Sequence, residues 1–227
     1  MKIKVLVLAI LITVFGVSGA SADIALFDYG LNVNGTVYSN TTVVPGLNSS
    51  SFDTSTGLGT LTLSFSPGIA GTYYVTSFFD HEIDESGNTY FNEFGSVNGA
   101  APAGLSWEID EPGYVFGDIY TNFLAGTLDD LNGVPSTKPD DVSMALGWNF
   151  ILASDETATI NLHLSTTPPA GGFYLQQNDP DSQANIYFDS SLRIGGGPAI
   201  PEPATMLLLG SGLAGLIGFG RKRLFRK

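Results

Sequence analysis

Oxygen-bearing side chains crowd one stretch of the sequence with the spacing of a calcium-binding loop. Counted from residue 82, five of them fall at template positions 1, 3, 5, 7 and 12, with Gly87 at the sharp turn: Glu82, Asp84, Ser86, Asn88 and Glu93. A hard cation such as Ca²⁺ takes several oxygen ligands, and a late glutamate binds it through both oxygens. The sequence therefore predicts a calcium site at these five residues. The alternative is a solvated acidic loop.

The same stretch also has a catalytic interpretation. Asp80, Glu82 and Asp84 alternate along a predicted strand, so their carboxylates share one face at a step of roughly 6.6 Å, near the separations that glycoside hydrolases use. Neighbouring carboxylates of one strand do not flank a substrate from opposite sides, as an acid and a nucleophile must. A glycoside hydrolase is therefore the weaker alternative.

Other catalytic sites find little support in the sequence. The chain has no cysteine, and its two histidines, His81 and His163, lack the spacing of a zinc-protease helix. We therefore predict a protein that is not an enzyme and that has no cofactor other than calcium. Trp107 and Trp148 fall on apolar stripes and are expected in the core. As an alternative, either could stack on a sugar in a calcium-dependent carbohydrate-binding module.

The elements that carry these residues are predicted to be strands. Apolar and polar residues alternate along the body of the chain, most clearly at Ala158, Ile160, Leu162 and Leu164. Asn34-Gly35 predicts a two-residue hairpin. We expect an all-β antiparallel two-sheet sandwich, jelly-roll-like, over residues 23–194, with a closed barrel as the alternative. Only residues 119–124 and 140–146 have a helical pattern.

The charge of this body is strongly negative. The chain has 22 acidic and nine basic residues, and between the two terminal segments only Lys138 and Arg193 are basic. Such a field repels phosphates, so the sequence excludes nucleic acid as a partner. Self-repulsion would also destabilise the compact fold unless cations screen or bind it.

The N-terminal segment has the layout of a secretory signal peptide. Lys2 and Lys4 precede an apolar run over residues 5–17, and Ala20 and Ala22 offer small side chains to signal peptidase. The run is shorter than the roughly 20 residues that span a membrane. We predict a signal peptide over residues 1–22, with the mature chain starting at Asp23.

The C-terminal segment has three ordered parts after a Gly/Pro linker at residues 195–200. These are the box Pro201, Glu202 and Pro203, a predicted transmembrane helix over residues 204–220, and a basic cluster over residues 221–227 that opens with Arg221, Lys222 and Arg223. The apolar part would reach roughly 25 Å, a thin fit to a bilayer. Because basic residues favour the cytoplasmic side, the body is expected outside the inner membrane.

This tail, over residues 201–227, resembles the PEP-CTERM sorting domain of exported Gram-negative proteins. The resemblance implies recognition and cleavage near the box by an exosortase, first with the body in the periplasm and then with release to the cell surface or the extracellular space. It favours a structural protein of an exopolysaccharide or biofilm matrix. Residues 78–85, 106–113 and 140–148 also resemble a body type of PEP-CTERM proteins to which we assign no activity.

Overall fold

The computed structural model describes residues 22–39, 42–84 and 88–196. The predicted signal peptide through residue 21, Ser86 of the predicted calcium loop, residues 197–200 of the linker, and the whole sorting tail with its predicted transmembrane helix lie outside these residues. Among the described residues, the structure contains no helix whose length and apolar character suit a membrane crossing.

Two antiparallel sheets contain all the strands of the described residues. In chain order the elements are β1 (Asp23–Val33), β2 (Thr36–Ser39), β3 (Leu47–Asp53), β4 (Leu58–Phe65), β5 (Gly71–Asp84), β6 (Phe94–Asn98), β7 (Leu105–Asp110), α1 (Ile119–Ala125), β8 (Ser143–Leu152), β9 (Glu156–Ser165), β10 (Tyr174–Asn178) and β11 (Asn185–Gly196). Sheet A has the order β2-β1-β5-β8-β7, and sheet B the order β3-β4-β9-β11-β10-β6. The predicted all-β fold of two antiparallel sheets is confirmed, and the jelly-roll connectivity stays a prediction.

The hydrophobic core lies between the sheets and is built from alternating residues. The apolar side chains predicted to share one face of β9 are all buried: Ala158, Ile160, Leu162 and Leu164. Phe79 of β5 meets Phe188 of β11 edge to face, with ring centroids 5.1 Å apart, and so joins sheet A to sheet B. Full burial of one such side chain stabilises the fold by roughly 1.5 to 3 kcal/mol.

The predicted hairpin at Asn34-Gly35 is present between β1 and β2. Both residues have positive φ angles, 49° and 88°, which define the type I′ turn whose twist matches that of the flanking strands. Asparagine and glycine tolerate this conformation better than other residues do.

One of the two predicted helices is wrong. Residues 119–124 do form α1, but residues 140–146 lead into and form the start of β8. This strand lies between β5 and β7, and its first six residues are buried on both faces. A strand buried on both faces has no alternation of apolar and polar residues, so its pattern resembles that of a short helix.

Helix α1 covers the outer face of sheet A. Phe123 and Ile119 of the helix pack on Phe78 of β5 and Ala145 of β8, and all four are buried. This small second core lies on the side of sheet A away from sheet B. The segment between β7 and β8 therefore folds back over the sheet, and acidic side chains on that outer face become buried beneath or beside it.

Candidate functional site

A row of polar side chains crosses the outer face of sheet A near one end of its strands. Asp28 of β1 is paired with Asp80 of β5, Asp80 with Ser143 of β8, and Ser143 with Asp110 of β7. Directly paired residues of antiparallel strands point to the same face, so strand register alone brings these groups together. A β-bulge between Leu26 and Asp28 adjusts the β1 register at this row.

Asp80 is the most deeply buried acid of this row, with 1 % of its surface exposed. Its carboxylate accepts a hydrogen bond of 3.0 Å from the Ser143 hydroxyl. Burial, with a further contribution from the charge of Asp141, raises the pKa of Asp80 to about 8. A buried carboxyl with a single hydroxyl donor is costly to ionise unless a cation approaches it.

Two further chain segments bring acids to a cavity near this row, which Asp80 itself does not line. Glu82 of β5, Glu93 and Asp141 line one cavity of about 280 Å³ together with Asn88. Glu93 is held there by a β-bridge to Asp140, whose N–H donates to the Glu93 carbonyl at 3.0 Å. We name Asp80, Glu82, Glu93 and Asp141 the carboxylate cluster.

The members of the carboxylate cluster repel one another. Burial, followed by the charges of Asp141, Asp179 and Glu82, raises the pKa of Glu93 to about 8 against a lowering contribution from Gln177. Burial and the charge of Glu82 raise the pKa of Asp141 to about 6. Burial and mutual repulsion therefore both favour the protonated form of Asp80, Glu93 and Asp141.

Positive charge is scarce around the cluster. Lys138 and Arg193 are the only lysine and arginine among the described residues. Lys138 is 3.5 Å from the Glu111 carboxylate and its side chain is 66 % exposed, while Arg193 lies on β11 of sheet B. Within the described part of the chain, the Glu82 carboxylate forms no hydrogen bond or ion pair.

A buried amide from sheet B reaches the cluster. Gln177 of β10 is fully buried, and its side-chain Nε2 donates to Glu93 Oε2 and, at 3.0 Å, to the carbonyl of His81. Its Oε1 has no hydrogen-bond partner among the described residues, and neither has Nδ1 of the buried His81. Native proteins rarely leave such atoms unpaired.

An aromatic cavity adjoins the carboxylate cluster and shares Phe91 and Asp141 with the first cavity. It has a volume of about 370 Å³ and is lined by Phe91, Glu111, Pro112, Gly113, Tyr114, Val115, Phe116, Asp140 and Asp141. Phe91, Tyr114, Val115 and Phe116 are between 53 and 81 % exposed. Large apolar side chains that stay exposed together are typical of a binding surface.

The structure brings three of the five predicted calcium ligands to one cavity. Glu82, Asn88 and Glu93 line one cavity, as a common site requires. Asp84 does not line it, and its carboxylate is the acceptor of a long contact of 3.5 Å from the Asn88 amide. Ser86 lies outside the described residues. Whether this loop binds calcium stays a prediction.

The sequence reasoning did not find Asp141 and Gln177. Asp141 is 48 positions or more from the other cluster members, and no local spacing links it to them. If the register of β5 with β8 is continued by two residues beyond Asp80 and Ser143, Asp141 comes opposite Glu82. Only the pairing of strands could have revealed it.

A second acidic group contacts α1. Glu108, Asp118 and Asp129, the α1 cluster, have carboxylate oxygens within 4.8 Å of one another. Burial raises the pKa of Glu108 to about 8. Both oxygens of Glu108 accept hydrogen bonds from the Asn122 amide, at 3.0 and 3.2 Å, so this group has a donor of its own.

The two tryptophans are not the exposed aromatic residues. Trp148 is buried and donates from Nε1 to the Ser190 hydroxyl at 2.9 Å. Trp107 is partly buried and packs near Phe173, with ring centroids 6.2 Å apart. The prediction that both belong to the core is consistent with these positions. Among the described residues, the exposed rings are those of Phe27, Tyr90, Phe91, Tyr114 and Phe116.

Comparison with known proteins gives a match to the tail and none to the sandwich. A family model described as the PEP-CTERM protein-sorting motif matches residues 199–223, which confirms the resemblance of the tail. No curated protein matches the chain, and no solved structure does.

Proposed function

We propose that this chain, which carries a PEP-CTERM protein-sorting motif and is therefore an exported exosortase substrate, is a non-catalytic structural protein of the cell surface or extracellular matrix. The sorting motif is the observation that carries the proposal. Signal peptidase would release the chain at Asp23, the inner membrane would hold it by its tail, and exosortase would pass the body to the surface. An exopolysaccharide matrix is the environment to which we assign it.

The physical layout of the tail supports this route. Strand β11 ends at Gly196 and the box begins at Pro201, so only a short Gly/Pro stretch separates the sandwich from the box. The apolar stretch after the box is rich in glycine and alanine, residues that allow close packing against the helices of a membrane enzyme.

Intact-mass measurement in a host with an exosortase tests the sorting step. We expect the wild-type chain to start at Asp23, to lack residues 204–227 and to leave the inner membrane. The matched variant Pro201→Ala, Glu202→Ala, Pro203→Ala should keep its tail and stay embedded. If wild type keeps the basic cluster at the same abundance as the variant, the tail is a plain anchor and the sorting proposal fails.

A gene deletion tests the structural role separately. Without this protein we expect altered biofilm, floc or surface properties in the host. Unchanged properties would count against a matrix role while leaving the sorting result untouched. A turnover screen on polysaccharides tests the non-catalytic part: we expect no turnover, and a turnover that disappears in Glu82→Gln would show a hydrolase instead.

The aromatic cavity favours carbohydrate binding as a second candidate function. Exposed rings of Phe91, Tyr114 and Phe116 offer apolar faces to sugars, and Glu111 and Asp140 offer acceptors for sugar hydroxyls in the same cavity. A protein that binds its own matrix polysaccharide would combine both functions.

Glycan arrays probed with the full-length chain test this candidate, with and without calcium. We expect binding that Tyr114→Ser and Phe116→Ser abolish. The matched control is Ile151→Ser, which removes an equally exposed apolar side chain of β8, 72 % exposed, outside the cavity. Silence of the wild-type chain in both conditions removes the carbohydrate-binding candidate.

A further inference from the structure

We propose that the aromatic cavity binds an amino sugar, with the sugar against the exposed rings and its ammonium group against the carboxylates of the cavity. This inference rests on the carbohydrate-binding candidate proposed above and names the class of sugar that the cavity prefers. The rings by themselves suit neutral, acidic and amine-bearing sugars alike. The carboxylates are what separates an amine-bearing sugar from the other two classes.

Two separate loops supply the rings of the cavity. Phe91 comes from the connection between β5 and β6, and Tyr114 and Phe116 come from the connection between β7 and α1. All three side chains are more than half exposed, at 69, 53 and 68 %. Aromatic side chains gain from burial, so three that line one cavity and stay open to solvent are available to a ligand.

The backbone of both loops fixes the positions of these rings. Phe91 has a φ angle of 63°, in the left-handed region that a bulky residue rarely adopts. Gly113 donates its N–H to the carbonyl of Phe116 at 2.9 Å, which closes the turn before α1. Gly117 follows with a φ angle of 78°, and a Cβ there would lie 2.3 Å from the Glu111 carbonyl. Such backbone strain persists where the surrounding structure holds it, as in ligand-binding loops.

Carboxylates line the same cavity as the rings. They belong to Glu111, Asp140 and Asp141, and the first lies 3.5 Å from the Lys138 ammonium. Among the described residues, no lysine or arginine forms an ion pair with Asp140 or Asp141. Burial raises the pKa of Asp141 to about 6, so this carboxylate is still largely ionised at neutral pH. A cation that enters the cavity therefore meets negative charge that no neighbouring basic side chain has neutralised.

Rings and carboxylates in one cavity select an organic cation. The face of an aromatic ring attracts an ammonium group, and a carboxylate at the same site accepts its hydrogen bonds. The contact of Lys138 with Glu111 shows that a carboxylate of this cavity already accepts such a group. A sugar with a carboxylate of its own would be repelled. The volume of about 370 Å³ lies in the range of roughly 300 to 1,000 Å³ that small-molecule sites occupy.

Calorimetric titration of the full-length chain tests this preference. The probes are the β-1,4-linked trimers of glucosamine, N-acetylglucosamine and glucose, of which only the first is charged. The chain is kept at pH 6.5 and low salt in a polyoxyethylene detergent, which has neither charge nor sugar. We expect the glucosamine trimer to bind about tenfold more tightly than the two neutral trimers. Because charge causes this difference, 0.5 M NaCl should reduce the preference to about twofold.

Matched variants separate the contribution of the charge from that of the rings. Asp140→Asn keeps the oxygen that accepts the Asp141 N–H at 2.9 Å, and it should reduce the preference for the glucosamine trimer about threefold or more. Asp155→Asn removes an exposed acid outside the cavity, in the turn between β8 and β9, and should leave the preference unchanged.

A second pair of variants tests the ring of Phe116. Phe116→Leu removes the aromatic face and should weaken the binding of all three trimers, whereas Phe116→Tyr should retain it. Phe116 is 68 % exposed, so both variants keep the fold.

Four results would overturn the inference. Equal affinity for the three trimers would show a carbohydrate site without charge selection, so the candidate function would survive without this inference. A preference reduced equally by Asp140→Asn and Asp155→Asn would assign it to the general acidic field. A tri-lysine peptide that binds as tightly as the glucosamine trimer would assign the cavity to basic proteins. Absence of binding to every trimer would remove the carbohydrate-binding candidate as well, and none of these outcomes bears on the sorting proposal.

Discussion

The two acidic clusters on the outer face of sheet A look alike and differ in how their charges are satisfied. Each contains a buried carboxyl whose pKa burial raises to about 8, Asp80 in the carboxylate cluster and Glu108 in the α1 cluster. In the α1 cluster, Asn122 donates to both oxygens of Glu108. In the carboxylate cluster, the Glu82 carboxylate has no partner among the described residues and a buried amide oxygen is left over.

This difference separates the spacing of the acids from the supply of hydrogen-bond donors. The α1 cluster has three carboxylates with oxygens within 4.8 Å of one another, and the Asn122 amide donates to its buried member, Glu108. Among the described residues, no three acids of the carboxylate cluster are grouped so closely, and its Glu82 carboxylate has no donor.

The two clusters also differ in the sequence separation of their residues. The α1 cluster comes from residues 108–129, a single connection that leaves β7 and passes through α1. The carboxylate cluster joins β5, the start of β6 and the start of β8. The first should depend on the packing of α1, and the second on the pairing of strands.

The largest expected change in stability comes from truncating Phe123, which should affect the α1 cluster and leave the carboxylate cluster intact. Phe123 is 1 % exposed and lies 5.7 Å, centroid to centroid, from Phe78. We expect Phe123→Ala to lower the free energy of unfolding by about 3 to 5 kcal/mol because it leaves a cavity beneath α1. Urea denaturation with and without calcium measures this: calcium should raise the free energy of unfolding of the variant by as much as it raises that of wild type.

The control for this prediction is Leu124→Ala on the same helix. Leu124 is 43 % exposed, so its truncation should cost less than about 1 kcal/mol. If calcium no longer stabilises Phe123→Ala, both clusters depend on α1. The proposed difference between a helix-dependent and a strand-dependent cluster would then be wrong.

Glu108 of the α1 cluster should make the stability of the fold depend on pH. The pKa of Glu108 is raised from its usual 4.5 to about 8, so the folded state holds a proton that the unfolded state has lost. The stability that this proton contributes is complete below pH 4.5 and is lost as pH rises towards 8. Glu108→Gln, which stays neutral and keeps an acceptor for Asn122, should therefore gain on wild type over this range.

Melting curves of wild type and Glu108→Gln at pH 4.5, 6.5 and 8.5 measure this gain. We expect nearly equal Tm values at pH 4.5 and a variant that is a few degrees more stable at pH 8.5. Asp155→Asn, in the turn between β8 and β9, serves as the control and should show no growing difference. A Tm difference for Glu108→Gln that stays constant with pH would contradict a buried protonated carboxyl.

The smallest expected effect is a change in calcium affinity when Lys138 is replaced. The Lys138 side chain is 66 % exposed, but the Glu111 side chain that it contacts is only 10 % exposed, so Lys138→Met leaves a buried carboxylate unpaired and should lower the free energy of unfolding by about 1 to 2 kcal/mol. The same change makes the field at the carboxylate cluster more negative and should tighten calcium binding up to about threefold at low salt. Calorimetric titration measures this shift.

Arg193→Met is the matched control, because it removes the other basic residue of the described chain from a position on sheet B. It should leave the calcium Kd unchanged. A calcium Kd that stays unchanged in Lys138→Met would place the ion outside the field of Lys138.

The sequence predicted those parts of the fold that depend on local pattern. Alternation along β9 identified a half-buried strand, and Asn34-Gly35 identified a hairpin, because side-chain direction and turn geometry follow from residues next to each other. The start of β8 was misjudged because a strand between two others loses its polar face. Burial on both sides is a property of the assembled sheet.

The candidate site divides in the same way. Glu82 and Glu93 were found because their spacing fits a template for one loop, and the sorting tail was found because its box, apolar stretch and basic cluster are contiguous in the chain. Asp141 and Gln177 became visible only when strand pairing placed them beside Glu82 and Glu93. Order along the chain fixes export and sorting, since membranes and processing enzymes act on linear segments. Tertiary structure decides which carboxylates share a cavity and which polar atoms stay unpaired, because both depend on contacts between residues far apart in the sequence.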